Sequence, residues 1–146
     1  MTKANRVPED FIIKDGIHGA GVFTKVAFKK GDVLFEMKGP IINHPTRTSV
    51  QMGNKKHIED YTAGHVNHSC TPNIQVNREK QCFECIIDIA AGEEIMFNYN
   101  ANEDALANPF YCECCGQVIL GKKRQAALKT KHSKNKTVHL NENTLK

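Results

Sequence analysis

The stretch GHVNHSCTPN, residues 64–73, decides how the rest of the chain is interpreted. Its histidines, His65 and His68, are three positions apart, which on a helix would place both rings on one side as metal ligands. Thr71, however, precedes Pro72, and a residue before proline is disfavoured in the helical region. The sequence therefore predicts an extended, turn-rich segment whose polar side chains brace the backbone. A cysteine-histidine nucleophile pair is also disfavoured, because no oxyanion donor or orienting acid can be identified nearby.

Short apolar segments separated by glycine, proline, asparagine or lysine-glycine turns dominate the chain. Seven of them have strand-like composition: FIIK, GVFTKVAF, DVLFEM, PIIN, IQVN, CFECIIDI and EEIMFNY. This pattern predicts a mainly β fold, with Gly31 and Gly92 at positive φ in tight turns. Residues 45–63 are predicted to hold one short helix or an insertion loop. A second helix is predicted from a cap at Asn102 to a stop at Pro109.

Length and composition indicate one domain inside a cell. The 146 residues suffice for a single apolar core and are too few for two ordinary domains. Apolar runs such as 86–91 are far shorter than a membrane span. The first ten residues contain no apolar stretch that could serve as a secretory signal. We therefore expect six reduced cysteines in the cytoplasm or nucleus and no membrane partner.

Charge divides the chain into two parts. Residues 1–120 carry 12 Lys and Arg against 15 Asp and Glu, a net charge of −3, whereas residues 121–146 carry 8 against 1, a net charge of +7. We expect a folded domain over 1–120 and a basic, flexible tail over 121–146. Such a tail is typically solvated and disordered. The sharper alternative is a weak contact with nucleic acid by electrostatic attraction.

Two further motifs flank the opening stretch. In AAGEEIMFNYN, residues 90–100, a turn leads into a short strand that ends in Tyr99, with Ile95 and Phe97 on one face. In GIHGAGVFTK, residues 16–25, three glycines precede an apolar strand, where a backbone without Cβ atoms lets a ligand approach closely. No helix follows and the third spaced glycine is missing, so a dinucleotide-binding loop is a poor match.

Taken in order, these motifs resemble the SET-domain lysine methyltransferases. The resemblance runs from Asp15 to Gly121 and rests on HGAGVF, KKGDVLFEM, VNHSCTPN, DIAAGEEIMFNY and FYCECCG. It implies a SET fold of several small sheets with a short C-terminal segment like the post-SET region. It also implies a pseudoknot, in which residues 67–73 pass beneath the loop that ends at Tyr99.

The resemblance implies methyl transfer from S-adenosylmethionine to the side-chain amine of a protein lysine, with a histone tail as the suggested substrate. Tyr99 would be the catalytic residue. The cofactor would be bound by Gly19, Gly21, Asn67, His68, Tyr99 and Phe110. Phe97 and Tyr111 would add to an aromatic channel for the lysine, although Phe97 and Phe110 are equally well interpreted as core residues. Because the domain is minimal, a partner or a second copy, as in a homodimer, would complete the substrate groove.

The resemblance also implies a zinc ion bound by four cysteines. Cys70, Cys112 and Cys114 match the family spacing, but Cys115 directly follows Cys114, as if the loop between the last two ligands were deleted. A zinc ribbon is the alternative, with CFEC at 82–85 and CECC at 112–115 as its two halves. The first half lies in a predicted strand, where residues three apart point to opposite faces. We therefore expect its thiols not to converge and one of them to be buried.

The sequence departs from the family pattern at two further places, and it also allows two other functions. The family usually has an Arg-Phe pair before the asparagine-histidine string, where this chain has Gly64-His65, and an acidic residue where it has Asn98. The main alternative function is a catalytically weak module that binds the cofactor or a peptide, with the tail attracted to nucleic acid. The other is a cysteine-rich zinc interaction domain.

Overall fold

The computed structural model describes residues 5–112 and 116–123. Short strands account for most of the regular structure in these residues. The strands are β1 (Phe11–Gly16), β2 (Gly19–Thr24), β3 (Val33–Glu36), β4 (Ile41–Ile42), β5 (Val50–Gly53), β6 (Lys56–Ile58), β7 (Asn67–His68), β8 (Ile74–Asn77), β9 (Cys82–Cys85), β10 (Glu94–Phe97), β11 (Phe110–Tyr111) and β12 (Val118–Ile119). One helical turn, α1 (Tyr99–Asn102), and one 3-10 turn (Ala63–His65) complete the described elements. The mainly β prediction is confirmed.

The strands form four small sheets, ordered β1-β2-β10-β7, β3-β9-β8, β4-β6-β5 and β11-β12. Each of the seven predicted segments overlaps one of these strands. Gly31 and Gly92 adopt φ values of +97° and +91°, as predicted for tight turns. In the first sheet β1 and β2 form an antiparallel hairpin, β10 adds antiparallel to β2, and β7 then pairs parallel to β10.

A chain of aromatic rings runs through the core towards the end of β10. Phe11 packs on Phe35 at a centroid distance of 5.2 Å, and Phe35 packs on Phe83 at 5.4 Å. Phe83 contacts Phe97 at 5.3 Å, and Phe97 contacts Tyr99 at 4.8 Å. Aromatic pairs at such separations stabilise a core beyond the area they bury. The ring of Tyr99 therefore packs against the main core.

The predicted helix from Asn102 to Pro109 is wrong. The helical turn ends at Asn102, and its cap is Asn98, whose side chain accepts a hydrogen bond from the backbone of Asn100. Glu103 has extended backbone angles, φ −87° and ψ 126°. Polar contacts with β5 hold the residues after Asn102 in an extended conformation, and these tertiary contacts override local helical propensity.

Residues 45–63 hold a hairpin in place of the predicted short helix or loop. β5 pairs antiparallel with β6 around a turn in which Lys55 has φ +53°, and β4 pairs on the other side of β6. The 3-10 turn begins only at Ala63. Gln51 and His57 are buried polar residues within these strands, so the alternation that would reveal a hairpin is hidden.

The predicted basic tail is described only at its first three residues. The backbone of Lys122 donates to Glu103 O, and Lys123 Nζ lies 3.3 Å from a carboxylate oxygen of Asp104. Residues 124–146, which carry most of the predicted positive charge, lie outside the described residues. Among the described helices none combines the length and apolar character that crossing a bilayer requires.

Candidate active site

The centre of the site is the contact between β7 and β10. Met96 pairs with Asn67 and Phe97 with His68 in parallel register. Directly after β7, the backbone of Ser69 donates a hydrogen bond of 3.0 Å to Phe97 O. Two segments that are distant in sequence are thus joined through backbone groups. The parallel pairing makes the crossing part of a sheet.

Asn73 fastens the other end of the opening stretch to β10. Its backbone donates to Met96 O at 3.2 Å, and its side chain donates to Glu94 O and accepts from the backbone of Met96, both at 2.9 Å. Asn73 is only 9% exposed. Residues 67–73 therefore lie alongside the strand that leads to Tyr99 and are bound to it at both ends, as expected for the pseudoknot.

Tyr99 lies directly over this crossing. Its hydroxyl donates a hydrogen bond of 2.5 Å to Val66 O, and its ring lies edge-on to the rings of His68 and Phe110. Burial raises the pKa of Tyr99 far above its usual range, and the charges of Glu103 and Glu94 act in the same direction. The phenol stays protonated at neutral pH, so it can donate to Val66 and accept from a ligand, but it cannot serve as a base.

His68 connects Tyr99 with the cysteines. Its Nδ1 accepts a hydrogen bond of 3.0 Å from the backbone of Tyr99, and its Nε2 lies 3.4 Å from Cys70 Sγ. Burial lowers the pKa of His68 to about 4, so the ring is neutral at physiological pH. In a neutral ring whose Nδ1 accepts, Nε2 carries the proton. His68 therefore presents a donor to the sulfur of Cys70.

A cavity of about 460 Å³ opens beside the crossing. This volume lies within the range of ordinary small-molecule sites, roughly 300 to 1,000 Å³. Four of the predicted cofactor-binding residues line it: Asn67, His68, Tyr99 and Phe110. Phe97 and Tyr111, the remaining aromatic candidates, line it as well. Phe97 is also a member of the main core, so the two interpretations given for it both describe its position.

Gly19 and Gly21 are not among the residues that line this cavity. A Cβ at Gly21 would lie 2.2 Å from Glu94 Oε2 and 2.9 Å from Asn67 Nδ2. The Asn67 side chain donates to that carboxylate at 2.8 Å and to Ala20 O at 3.1 Å. The missing side chain of Gly21 therefore makes room for a contact within the protein, which fixes Asn67 against β2.

Glu103 is a cavity residue that sequence reasoning missed. It is 4% exposed, and its Oε2 accepts hydrogen bonds from the backbone of Gln51 at 2.8 Å and from Asn102 Nδ2 at 2.6 Å. Burial raises the pKa of Glu103 to about 7, against the opposing effect of these hydrogen bonds and of the Arg78 charge. The sequence contained no signal for this role, because Glu103 fell within the predicted helix from Asn102 to Pro109.

Residues 45–50 also line the cavity, and they were missed as well. The hydroxyl groups of Thr46 and Thr48 donate to the carboxylate of Glu59, and Thr48 packs against the backbone of Gly64. A Cβ at Gly64 would lie 2.9 Å from Thr48 Cβ. The glycine that replaces the family's usual residue before the histidine string therefore lets this loop approach closely.

The sulfur atoms of Cys70 and Cys112 are 3.6 Å apart, and neither cysteine is in a disulfide. Zinc-bound thiolates at about 2.3 Å from the metal are separated by roughly 3.8 Å in a tetrahedral site, so the pair fits zinc. His68 completes a group of potential ligands within 4.8 Å. Its protonated Nε2, however, suits a hydrogen bond to sulfur better than a bond to metal. Cys114 and Cys115 lie outside the described residues.

The first half of the alternative zinc ribbon lies on β9, as predicted. Cys82 and Cys85 occupy its two ends, and neither belongs to the group of potential metal ligands found among the described residues. The expectation that only one would be buried is wrong, because both are 2% exposed. β9 is the central strand of its sheet and is covered on both faces. Burial raises the pKa of both thiols and so disfavours the thiolate that zinc requires.

A comparison with known proteins agrees with this geometry. Histone-lysine N-methyltransferases specific for H3 lysine 36 from Chaetomium globosum and Coccidioides immitis are 30% and 31% identical to the chain, over 82% and 84% of its length. The chain spans only 16% and 15% of those relatives. A humanized mutant of the Chaetomium thermophilum Polycomb Repressive Complex 2 has a TM-score of 0.53 at 19% identity, over 83% of this chain and 19% of that one, which indicates a shared fold.

The family model described as the SET domain matches residues 19–100. This range begins at the glycine strand β2 and ends just after Tyr99, so it contains both segments of the crossing. The chain belongs to the SET-domain family.

Proposed function

We propose that the chain is a protein-lysine N-methyltransferase that uses S-adenosylmethionine. The observation that carries the proposal is the position of Tyr99, whose hydroxyl is held over the β7-β10 crossing at the edge of the cavity. Family membership and the names of the relatives support the same activity. Catalysis by Tyr99, and cofactor binding by Gly19, Gly21, Asn67, His68, Tyr99 and Phe110, are part of this proposal.

S-adenosylmethionine supplies a methyl group on a positively charged sulfur. The task of the chain's own residues is to align an amine with that group, since alignment alone can contribute a large part of a rate enhancement. Asn67 and His68 are held by backbone pairing to β10, and Asn67 is braced against β2. Both residues therefore present rigid groups to the cavity.

The acceptor lysine must arrive without its proton. With an ordinary pKa of about 10.4, forming the neutral amine at pH 7 costs roughly 4 to 5 kcal/mol. The rings of Phe97, Tyr99 and Phe110, which line the cavity, would disfavour the ammonium form by desolvation. The protonated hydroxyl of Tyr99 would accept a hydrogen bond from the amine and direct its lone pair towards the methyl group.

The proposed substrate is a basic, lysine-containing protein segment. The relatives are named for H3 lysine 36, and a histone tail is accordingly the first candidate. The net charge of −3 on residues 1–120 suits a basic segment. The proposal places the protein inside the cell. A partner or a second copy would complete the substrate groove, and the tail would add a weak contact with nucleic acid.

Tyr99→Phe tests the catalytic role. The variant keeps the ring contacts and loses the hydroxyl, so we expect methyl transfer to fall roughly 100-fold while cofactor binding persists. Transfer would be measured by mass spectrometry with labelled cofactor and a panel of basic proteins that includes histones. Tyr61→Phe is the control, because Tyr61 packs on His65 away from the cavity lining. Cofactor binding without transfer in wild type and variant would instead support the alternative of a binding module.

We also propose one zinc ion bound by Cys70 and Cys112, with Cys114 and Cys115 as the remaining ligands. Zinc would stabilise the segment that carries Phe110 against the crossing, since a structural site contributes directly to folding free energy. Atomic emission on purified protein should find one zinc per chain, which Cys70→Ser lowers and Cys82→Ser does not. Metal-free protein with an unchanged fold would contradict this part of the proposal.

A further inference from the structure

A carboxyl group lies in the wall of the proposed cofactor cavity. Glu103 lines the same cavity as Tyr99 and His68, and it is 4% exposed. Both hydrogen bonds that its side chain accepts within residues 5–112 and 116–123 end on Oε2. Oε1 accepts no hydrogen bond in those residues, yet it is not fully buried. Among the same residues, the only fully buried side-chain nitrogen or oxygen without a partner is His57 Nδ1. Oε1 is therefore the atom available to the cavity.

The position of Glu103 is built by a network that spans distant segments. Asn102 Nδ2 donates to Gln51 O at 3.0 Å, and Arg78 Nε donates to Asn102 Oδ1 at 3.1 Å. Gln51 also receives the backbone hydrogen bond of Asp104 at 2.7 Å on its side-chain oxygen. A network in which each polar group has a partner holds its members rigidly. Glu103 is thus a fixed charge site.

Few charged groups face this carboxyl. Arg78 lowers the pKa of Glu103 and Asp104 raises it, while burial has the largest effect and raises it to about 7. Burial raises the pKa of Tyr99, and the charge of Glu103 adds to this increase, so the phenol stays protonated. Arg47 also lines the cavity, but its side chain is exposed, and His18 and His68 complete the basic lining. Near neutral pH, Glu103 is therefore divided between a charged and an uncharged form.

We propose that Glu103 makes the cavity selective for a positively charged group, either the sulfonium of S-adenosylmethionine or the ammonium that the substrate lysine carries before it loses its proton. The inference rests on the proposed function and adds a specificity-determining residue to it. A fixed negative charge in a partly desolvated site attracts a cation far more strongly than it would in water. The sulfonium becomes a neutral thioether after transfer, so an ionised Glu103 would favour the cofactor over its spent product, S-adenosylhomocysteine.

Proton linkage gives the inference a second signature. A bound cation stabilises the ionised form of Glu103, so binding should release a proton when part of the population is protonated. Cation binding should therefore strengthen as the pH rises from 6 to 8. The thioether product, which lacks the sulfonium charge, should not show this increase.

Glu103→Gln is the informative variant, because both existing hydrogen bonds end on one oxygen and the amide oxygen of glutamine can keep them. Calorimetry would compare S-adenosylmethionine with S-adenosylhomocysteine at pH 6 and pH 8. In wild type we expect the preference for the cofactor to increase about 5- to 10-fold between these pH values. In Glu103→Gln the preference should be lower at pH 8 and independent of pH. Glu84→Gln is the control, since the Glu84 carboxylate accepts a hydrogen bond from Asn77 and does not line the cavity.

A second arm separates the two cations. Peptides that carry lysine or norleucine at the target position would be compared in the same way, since only lysine can bring an ammonium group. If Glu103→Gln changes only the preference for S-adenosylmethionine over S-adenosylhomocysteine, the sulfonium is the cation that Glu103 attracts. If it changes only the preference for lysine over norleucine, the ammonium is that cation. Proton release on binding to wild type, obtained from buffers of different ionisation enthalpy, is a readout that needs no variant.

These experiments distinguish failure of the inference about Glu103 from failure of the proposed function. If wild type binds both cofactor and product but Glu103→Gln leaves both preferences and the proton release unchanged, the inference is overturned and the proposed function stands. If wild type binds neither, the proposed function fails and the inference fails with it.

Discussion

The cavity has two walls that are held together in different ways. The knot wall consists of residues 66–69, 96, 97 and 99, and the loop wall consists of residues 45–50, 103 and 106–109. In the knot wall the contacts are backbone pairs between β7 and β10, together with the amide of Asn73. In the loop wall they are hydrogen bonds between side chains and backbone groups far apart in sequence, such as Gln51 with Asp104.

This difference teaches which part of the site a motif can encode. Backbone pairing needs only that two segments have compatible shape, so a short string with one well-placed asparagine specifies the knot wall. The loop wall depends on a set of polar residues that must all be present at once. The proposed catalytic role therefore falls to the knot wall, and we assign the proposed selectivity for charge to the loop wall.

The largest expected effect comes from breaking the knot wall with Asn73→Ala. The change removes two hydrogen bonds from a buried side chain and leaves backbone groups of Glu94 and Met96 without partners. We expect the free energy of unfolding to fall by roughly 2 to 4 kcal/mol, because buried polar groups without partners are costly. Denaturant unfolding measures this. Asn43→Ala, at an exposed position, should change it by less than about 0.5 kcal/mol.

The loop wall can be displaced separately with Gly121→Ala. Gly121 has φ +104°, and a Cβ there would lie 2.6 Å from the Cα of Ala105, so the backbone beside Glu103 would have to move. We expect a loss of about 2 to 3 kcal/mol, from left-handed backbone strain and overpacking together. Gly92→Ala is matched in φ, at +91°, but has nothing within 4 Å of its added Cβ. It should cost only about 1 kcal/mol, and equal losses in the two variants would contradict the packing argument.

The smallest expected effect is a gain in unfolding free energy, which we expect from Glu103→Gln in the loop wall. The unfolded chain releases the Glu103 proton near its ordinary pKa of about 4.5, whereas the folded chain releases it at about 7. Because the folded state binds more protons in this window, the group makes wild type less stable as the pH rises through it. Glu103→Gln should therefore match wild type near pH 4.5 and exceed its unfolding free energy by roughly 1 to 3 kcal/mol at pH 8. A difference that does not vary with pH would show that Glu103 does not titrate as described.

Much of the fold could be predicted because its signals are local. The seven apolar segments each overlap a strand, and the turns at Gly31 and Gly92 have the predicted positive φ. The crossing was expected from the family resemblance alone, since no local pattern reveals which strand lies beside another, and its parallel direction was not predicted. The hairpin of residues 50–58 was missed because buried Gln51 and His57 look like surface residues in a sequence.

The predicted site residues also divide into those that the structure brings to the cavity and those that it does not. Asn67, His68, Tyr99 and Phe110 were named from the sequence, and the structure brings them to one cavity. Gly19 and Gly21 were named for close approach to a ligand, whereas Gly21 makes room for the Asn67 side chain. The catalytic and cofactor roles of these residues remain predictions for the experiments above.

The sequence by itself determined the β character of the chain, the positions of seven of its strands, and the short string that becomes part of the knot wall. These features depend on residues within a few positions of one another, whose backbone preferences act locally. Only the tertiary structure decided the loop wall and the environment of Glu103, which accepts a hydrogen bond from a residue 52 positions earlier in the chain. A carboxyl group acquires a raised pKa and a place in a cavity only when distant segments remove it from water, and no local pattern records that event.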